Sequence, residues 1–161
     1  MRWGAPAEEH PLEGWDKLLA VNMTGAFVMS QQVAKKAMIP AKYGRIIVTA
    51  SVAGLLANDP RVMTTLAYNA SKHGVIGMMK QMAAEWGVHG ITANAICPGV
   101  FPSKMANSMI ETSGTEIVAG TPSGRLGNDE DLKGLAVLLA SNASSHITGQ
   151  AIAVDGGACI I

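Results

Sequence analysis

Charge is sparse in this chain and neither sign prevails. Asp, Glu, Lys and Arg make up 15% of the 161 residues, and twelve basic residues offset twelve acidic ones. No run of basic residues is present, which argues against a nucleic-acid or anionic-membrane footprint. Net charge near zero also gives little electrostatic protection against self-association. Cysteine is nearly absent. Cys97 and Cys159 stand alone, outside any Cys-x-x-Cys pair, so two free thiols in a reducing compartment, and hence the cytoplasm, are expected. No apolar run approaches the ~20 residues of a membrane span. The first fifteen residues, MRWGAPAEEHPLEGW, lack the continuous apolar core of an export signal. No repeat, low-complexity stretch or linker divides the chain, which therefore reads as one domain over 1–161.

What is present is apolar material in alternating blocks. Hydrophobic residues reach 48%, enough for an ordered chain with a core. Trp15, Leu18, Leu19, Asn22, Met23 and Phe27 recur at helical steps and predict a helix over 12–38, closed by Pro40. The β-branched run Ile46 to Ala50 predicts a strand covered on both faces. A loop over 51–63, a helix over 64–86 and a strand over 91–96 follow. Residues 100–124 read as irregular, with short helical pieces at 105–110 and 115–118. Asn128 to Asp131 open a third helix with acidic residues in its first turn. Ala151 to Val154 form a last strand. Strands alternating with helices imply a parallel α/β sheet, whose ligands bind beyond the carboxyl ends of the strands.

Chemistry concentrates at one such end. Tyr68 and Lys72 stand four residues apart on a predicted helix, so they share a face. An ammonium beside a phenol favours the phenolate. Ser51, at the end of GRIIVTAS, offers a hydroxyl to the same substrate oxygen. Together they form acid/base equipment for carbonyl reduction or alcohol oxidation. Taken by itself, Tyr-x-x-x-Lys is a common solvated pair, Ser51 a common cap, and Asn22 an ordinary helix residue. His10, His73, His89 and His146 show no metal-ligand spacing. Cys97 reads as a packed thiol, and Lys104 and Arg125 as solvated charges.

The order of blocks decides between these readings. VNMTG around Asn22, SVAG opening at Ser51, Tyr68-x-x-x-Lys72, NAICPG over 94–99, ITGQ over 147–150 and VDGG over 154–157 resemble, in sequence order, the short-chain dehydrogenase/reductases. The wording PGVFPSKM is similar to their 3-oxoacyl-(acyl carrier protein) reductase branch. The resemblance implies a Rossmann-like doubly wound parallel sheet, NAD or NADP as cofactor, and a small carbonyl or alcohol substrate. It implies Tyr68 as acid/base, Lys72 as its electrostatic partner and ribose ligand, and Ser51 as the group orienting the substrate oxygen. Asn22 would bend its helix and hold a water leading to Lys72. Pro98, Gly99, Val100, Phe101 and Ser103 would flank the nicotinamide, and the long helices would pair in a homo-oligomer.

One family feature has no counterpart. A strand followed by the Gly-rich turn that cradles pyrophosphate is not found; the cluster from Gly120 to Gly127 has the wrong spacing. The chain thus matches the carboxyl-terminal part of the fold, without the first strands or the NAD/NADP selector. The strand at 45–50 should then carry an unpartnered edge. Two function classes remain open from sequence: an oxidoreductase, or a silent fragment acting as an oligomerisation or interaction module. Leu55, Leu56, Phe101 and Met105 point to an acyl or otherwise apolar substrate.

Overall fold

The computed structural model describes residues 4–161. After a single turn at Ala7–Glu9, helix α1 occupies residues 12–41. Two of its stretches, Ala20–Thr24 and Ala34–Met38, widen from α to π geometry. The second ends two residues before Pro40, whose ring and missing N–H disrupt the bond to the carbonyl four residues back. Pro40 does not quite close the helix. It sits in the final turn, Ile39–Ala41, and Lys42 ends the helix in the left-handed region at φ 51°. The first π turn contains Asn22.

Five further elements follow: β1 Gly44–Thr49, α2 Leu66–Trp86, β2 Ile91–Pro98, α3 Asn107–Ala119 and α4 Lys133–Ala140, before β3 at Ala151–Val154 closes the order. The strands lie parallel in the order β1-β2-β3. Register pairs Ile46 with Ala93, Val48 with Ala95 and Ile96 with Ile152. Alternation along the strands places Ile46, Val48, Ala93, Ala95 and Cys97 on one face, packed with Val75, Met79, Met82 and Ala83 of α2. Met79 is fully buried there, a contribution of about 1.5–3 kcal/mol relative to leaving it in water. Arg45 points to the other face, where its guanidinium donates to Ser141 O at 3.3 Å and to Asn142 Oδ1 at 3.2 Å, just past α4. Helices on both faces make the sheet doubly wound, as expected of a Rossmann-like α/β layer.

β2 is the central strand and is buried on both faces up to its last residue. β1 is at the edge, and its burial alternates. The expectation that both faces of β1 would be covered therefore fails: Thr49 is exposed and Ile47 only half-buried.

Two other expectations need correction. The segment expected to be irregular holds one continuous helix, α3. Its Ser, Thr and Gly content hides the helix in sequence, because hydroxyls compete for backbone bonds. Here Thr112 Oγ1 turns that competition inward, donating to Ser108 O at 3.0 Å. Asn128 to Asp131 do not open α4, which begins at Lys133. They form a preceding turn, in which Asn128 Oδ1 accepts from Glu130 N at 2.9 Å and Asp131 Oδ2 from Asn128 N at 2.8 Å. Short polar side chains satisfied by local backbone favour such turns over helix.

Candidate active site

The carboxyl end of β1 passes into Ser51, whose Oγ accepts from Ala53 N at 3.2 Å and so starts the turn Val52–Gly54. That turn presses on α2: a Cβ on Gly54 would stand 2.6 Å from Lys72 O, a separation real Cβ atoms do not adopt. Glycine at 54 lets the Ser51 turn seat itself against the helix carrying Tyr68 and Lys72.

Lys72 reaches back to the strand. Its Nζ donates to Thr49 O at 2.9 Å and stands 5.5 Å from the centre of the Tyr68 ring, within cation–π range. Burial pushes the Lys72 ammonium below its ordinary pKa, with a smaller opposing effect from Cys97. The amine, the phenol ring and the strand end that continues into Ser51 therefore converge at one rim of the sheet.

Asn22 arrives from α1. Its Nδ2 donates to Ser71 Oγ at 2.9 Å, and Ser71 Oγ in turn donates to Tyr68 O at 2.8 Å. The π turn around Asn22 carries this side chain across to α2, a common use of such turns at functional sites. Sequence reasoning missed Ser71, which is fully buried between Tyr68 and Lys72; its place on the α1-facing side of α2 was the available signal. It also missed a polar clasp beside Tyr68. Asn58 Nδ2 donates to Thr65 Oγ1 at 2.8 Å and to Asn69 Oδ1 at 3.1 Å, and Asn69 Nδ2 to Leu56 O at 3.3 Å. These bonds fasten the loop before α2 to its first turn.

The second strand end borders a cavity whose lining includes none of Ser51, Tyr68 and Lys72. Gly99 N donates to Val154 O at 3.0 Å, and a Cβ at Gly99 would lie 2.8 Å from that of Asp155. Gly127 N donates to Val100 O at 3.0 Å, beneath the Phe101 ring. Between these segments, the 120–127 loop and the end of β3 lies a cavity of about 350 Å³ that takes in Val52, Gly99, Val100 and Phe101. Pro98 is the last residue of β2 and does not line the cavity. Ser103 is exposed and caps a turn by accepting from Ala106 N at 3.2 Å. Met105, expected to help shape an apolar pocket, is 75% exposed. Arg125, expected to be a solvated charge, is exposed and also pairs with Asp131 through both terminal nitrogens, at 2.7 and 2.8 Å.

The profile of the family described as Enoyl-(Acyl carrier protein) reductase matches residues 2–159. The chain belongs to the short-chain dehydrogenase/reductase family. It is 40% identical over 154 residues to D-threitol dehydrogenase of Mycolicibacterium smegmatis, covering 95% of this chain and 57% of that one. It is 37% identical over 149 residues to a 3-oxoacyl-[acyl-carrier-protein] reductase of Rickettsia prowazekii, covering 92% and 60%. Among solved structures, a gluconate 5-dehydrogenase from Burkholderia cenocepacia in complex with NADP and tartrate superposes with a TM-score of 0.93 at 34% identity, covering 98% of this chain and 61% of that one. The chain thus spans about three fifths of the length of these relatives. Among the described residues no helix is long and apolar enough to cross a membrane.

Proposed function

We propose that this short-chain dehydrogenase/reductase chain carries the acid/base half of a nicotinamide-dependent oxidoreductase acting on a hydroxyl or oxo substrate. The observation that supports this best is the Lys72 ammonium, anchored on Thr49 O and set against the Tyr68 ring. The donor set fits a nicotinamide nucleoside: an ammonium and a phenol suit ribose hydroxyls, and the close backbone at Gly99 suits a flat ring or amide. Lys72, Tyr68, Pro98, Gly99, Val100, Phe101 and Ser103 are the candidate holders. NAD(P)(H), when bound, supplies or accepts the hydride.

Tyr68 gives its proton to the substrate oxygen in the reductive direction and takes it back in the oxidative one. Lys72 stabilises the negative charge that develops on the phenol oxygen. Ser51 orients the substrate oxygen with its hydroxyl. Asn22 and Ser71 hold the Tyr68–Lys72 turn in place, and the Asn22 amide is a candidate for a water relay to Lys72. The apolar wall of Val100 and Phe101 suits an acyl chain, in keeping with the Rickettsia prowazekii relative. Two unpaired thiols fit a reducing compartment such as the cytoplasm.

A second reading draws on the surface. Val21, Val28, Met29 and Val33 of α1 are exposed, and β1 stands at the sheet edge. Both suit self-association, so the homo-oligomer remains the expected assembly, whether catalytic or as a silent interaction module. Cofactor separates the two. Millimolar NADPH should raise the melting temperature and shift the amide resonances of Tyr68, Lys72 and Gly99. No change in either would favour the interaction module.

A further inference from the structure

Ser51 and Tyr68 stand on different elements. Ser51 lies past the end of β1, and Tyr68 is in the first turn of α2. On the oxidoreductase reading above, both must meet one substrate oxygen, so their relative position depends on what joins residues 52–65 to the helix. The near end of that segment is a continuous bonded turn. Gly54 N donates to Ser51 O at 2.9 Å, and Leu55 N and Leu56 N both donate to Val52 O, at 2.8 and 3.1 Å. Backbone bonds therefore fix Leu56 relative to Ser51.

Asn69, the residue after Tyr68, closes the circuit. Its Nδ2 donates to Leu56 O at 3.3 Å, and its Oδ1 accepts from Thr65 Oγ1 at 2.7 Å and from Asn58 Nδ2 at 3.1 Å. The bonding is directional. Leu56 O can only accept and Asn58 Nδ2 can only donate, so the two ends of the Asn69 amide are not interchangeable. A carboxylate of the same shape lacks the donor, and an alanine reaches neither partner. We propose that Asn69 is a positioning residue: it locks the Ser51 turn onto the Tyr68 turn, so that hydroxyl and phenol address the same oxygen. The proposal rests on the oxidoreductase reading, in which a misplacement of about 1 Å is enough to cost about 100-fold in rate.

Two measurements test it, both with Asn69→Ala, which leaves the intrinsic helix preference of α2 undiminished. The first uses the chain itself. The Leu55 and Leu56 amides should exchange with solvent at least about threefold faster, while those of Val75 and Met79 keep their rates. Unchanged exchange at Leu55 and Leu56 would overturn the proposal, and so would acceleration spread evenly through α2. Asn69→Leu, similar in shape and without the bonds, is read in the same way should the Ala chain not fold. The second is a double-mutant cycle in turnover, with this chain replacing the matched portion of the Mycolicibacterium smegmatis relative. Asn69→Ala should lower kcat at least about tenfold when Ser51 is present, and less than about twofold in a Ser51→Ala background, where no hydroxyl is left to misplace. Equal losses in the two backgrounds would overturn the proposal, because a residue that only steadied the helix would act on both alike. A Ser51→Ala change without effect on kcat would sink the underlying reading as well, and it is seen without touching Asn69.

Discussion

Asn22 Nδ2 and Ser71 Oγ lie 2.9 Å apart although 49 residues separate them in sequence. The contact ties the π turn of α1 to the turn of α2 between Tyr68 and Lys72. Asn22→Ala should cost about 0.5–1.5 kcal/mol, the usual net value of one such bond. Urea unfolding should show a lower midpoint at unchanged slope. An unaltered midpoint would mean that the bond does not brace the helices.

Asn94 is the buried counterpart at the sheet centre. Its side chain donates to Ile147 O at 2.8 Å and accepts from Gln150 N at 3.0 Å, fixing the turn that leads into β3. Removing it strands two backbone groups, at about 1–3 kcal/mol each if both stay dry. Asn94→Ala should therefore destabilise the chain by about 3 kcal/mol and speed hydrogen exchange in 149–154 before it does so in α2. Equal protection in the two segments would contradict a local role.

The Arg125 guanidinium, with a bond from Asn128 N, holds the Asp131 carboxyl down at about 2, against 3.8 for a free side chain. A depressed carboxylate stabilises the fold above the unfolded value and loses that contribution as pH falls through the folded one. The contact should thus be intact above pH about 4 and lost toward pH 2. A 13C titration of the Asp131 carboxyl checks this directly; a midpoint near 4 would show that the pair does not form in solution.

Burial and the Asp155 carboxylate push the Cys159 thiol up to about 12, and burial pushes Cys97 up as well. The reactive species is the thiolate. At pH 8 both should react with a disulfide reagent far more slowly in the folded chain than in urea. Rapid labelling of either thiol under native conditions would contradict the packing described for the ends of β2 and β3.

The Tyr68–Lys72 spacing, Ser51 at a strand end and Pro98-Gly99 at the next one were visible as local pattern. Their reading as one site came from the resemblance of the ordered blocks to a known family, because each pattern alone is common. Helix α3 escaped because its hydroxyls bond to their own backbone, which composition cannot distinguish from a loop. Ser71 and the Thr49 carbonyl escaped for another reason: each gains its partner, Asn22 or Lys72, only through tertiary packing. The incompletely covered outer face of β1 was hidden because an apolar run looks the same in an edge strand as in a central one.

Convergence of the phenol, the amine and the Ser51 hydroxyl is tested most directly by turnover. This chain can replace the matched portion of the Mycolicibacterium smegmatis relative, and NAD(P)H-dependent carbonyl reduction can be followed by absorbance in the chimera with and without Tyr68→Phe. Loss of the phenol proton should lower kcat by at least about 100-fold with little change in KM. Turnover by the Phe variant at close to the unmodified rate would contradict the role of Tyr68 and, with it, the assignment of this rim as the active site.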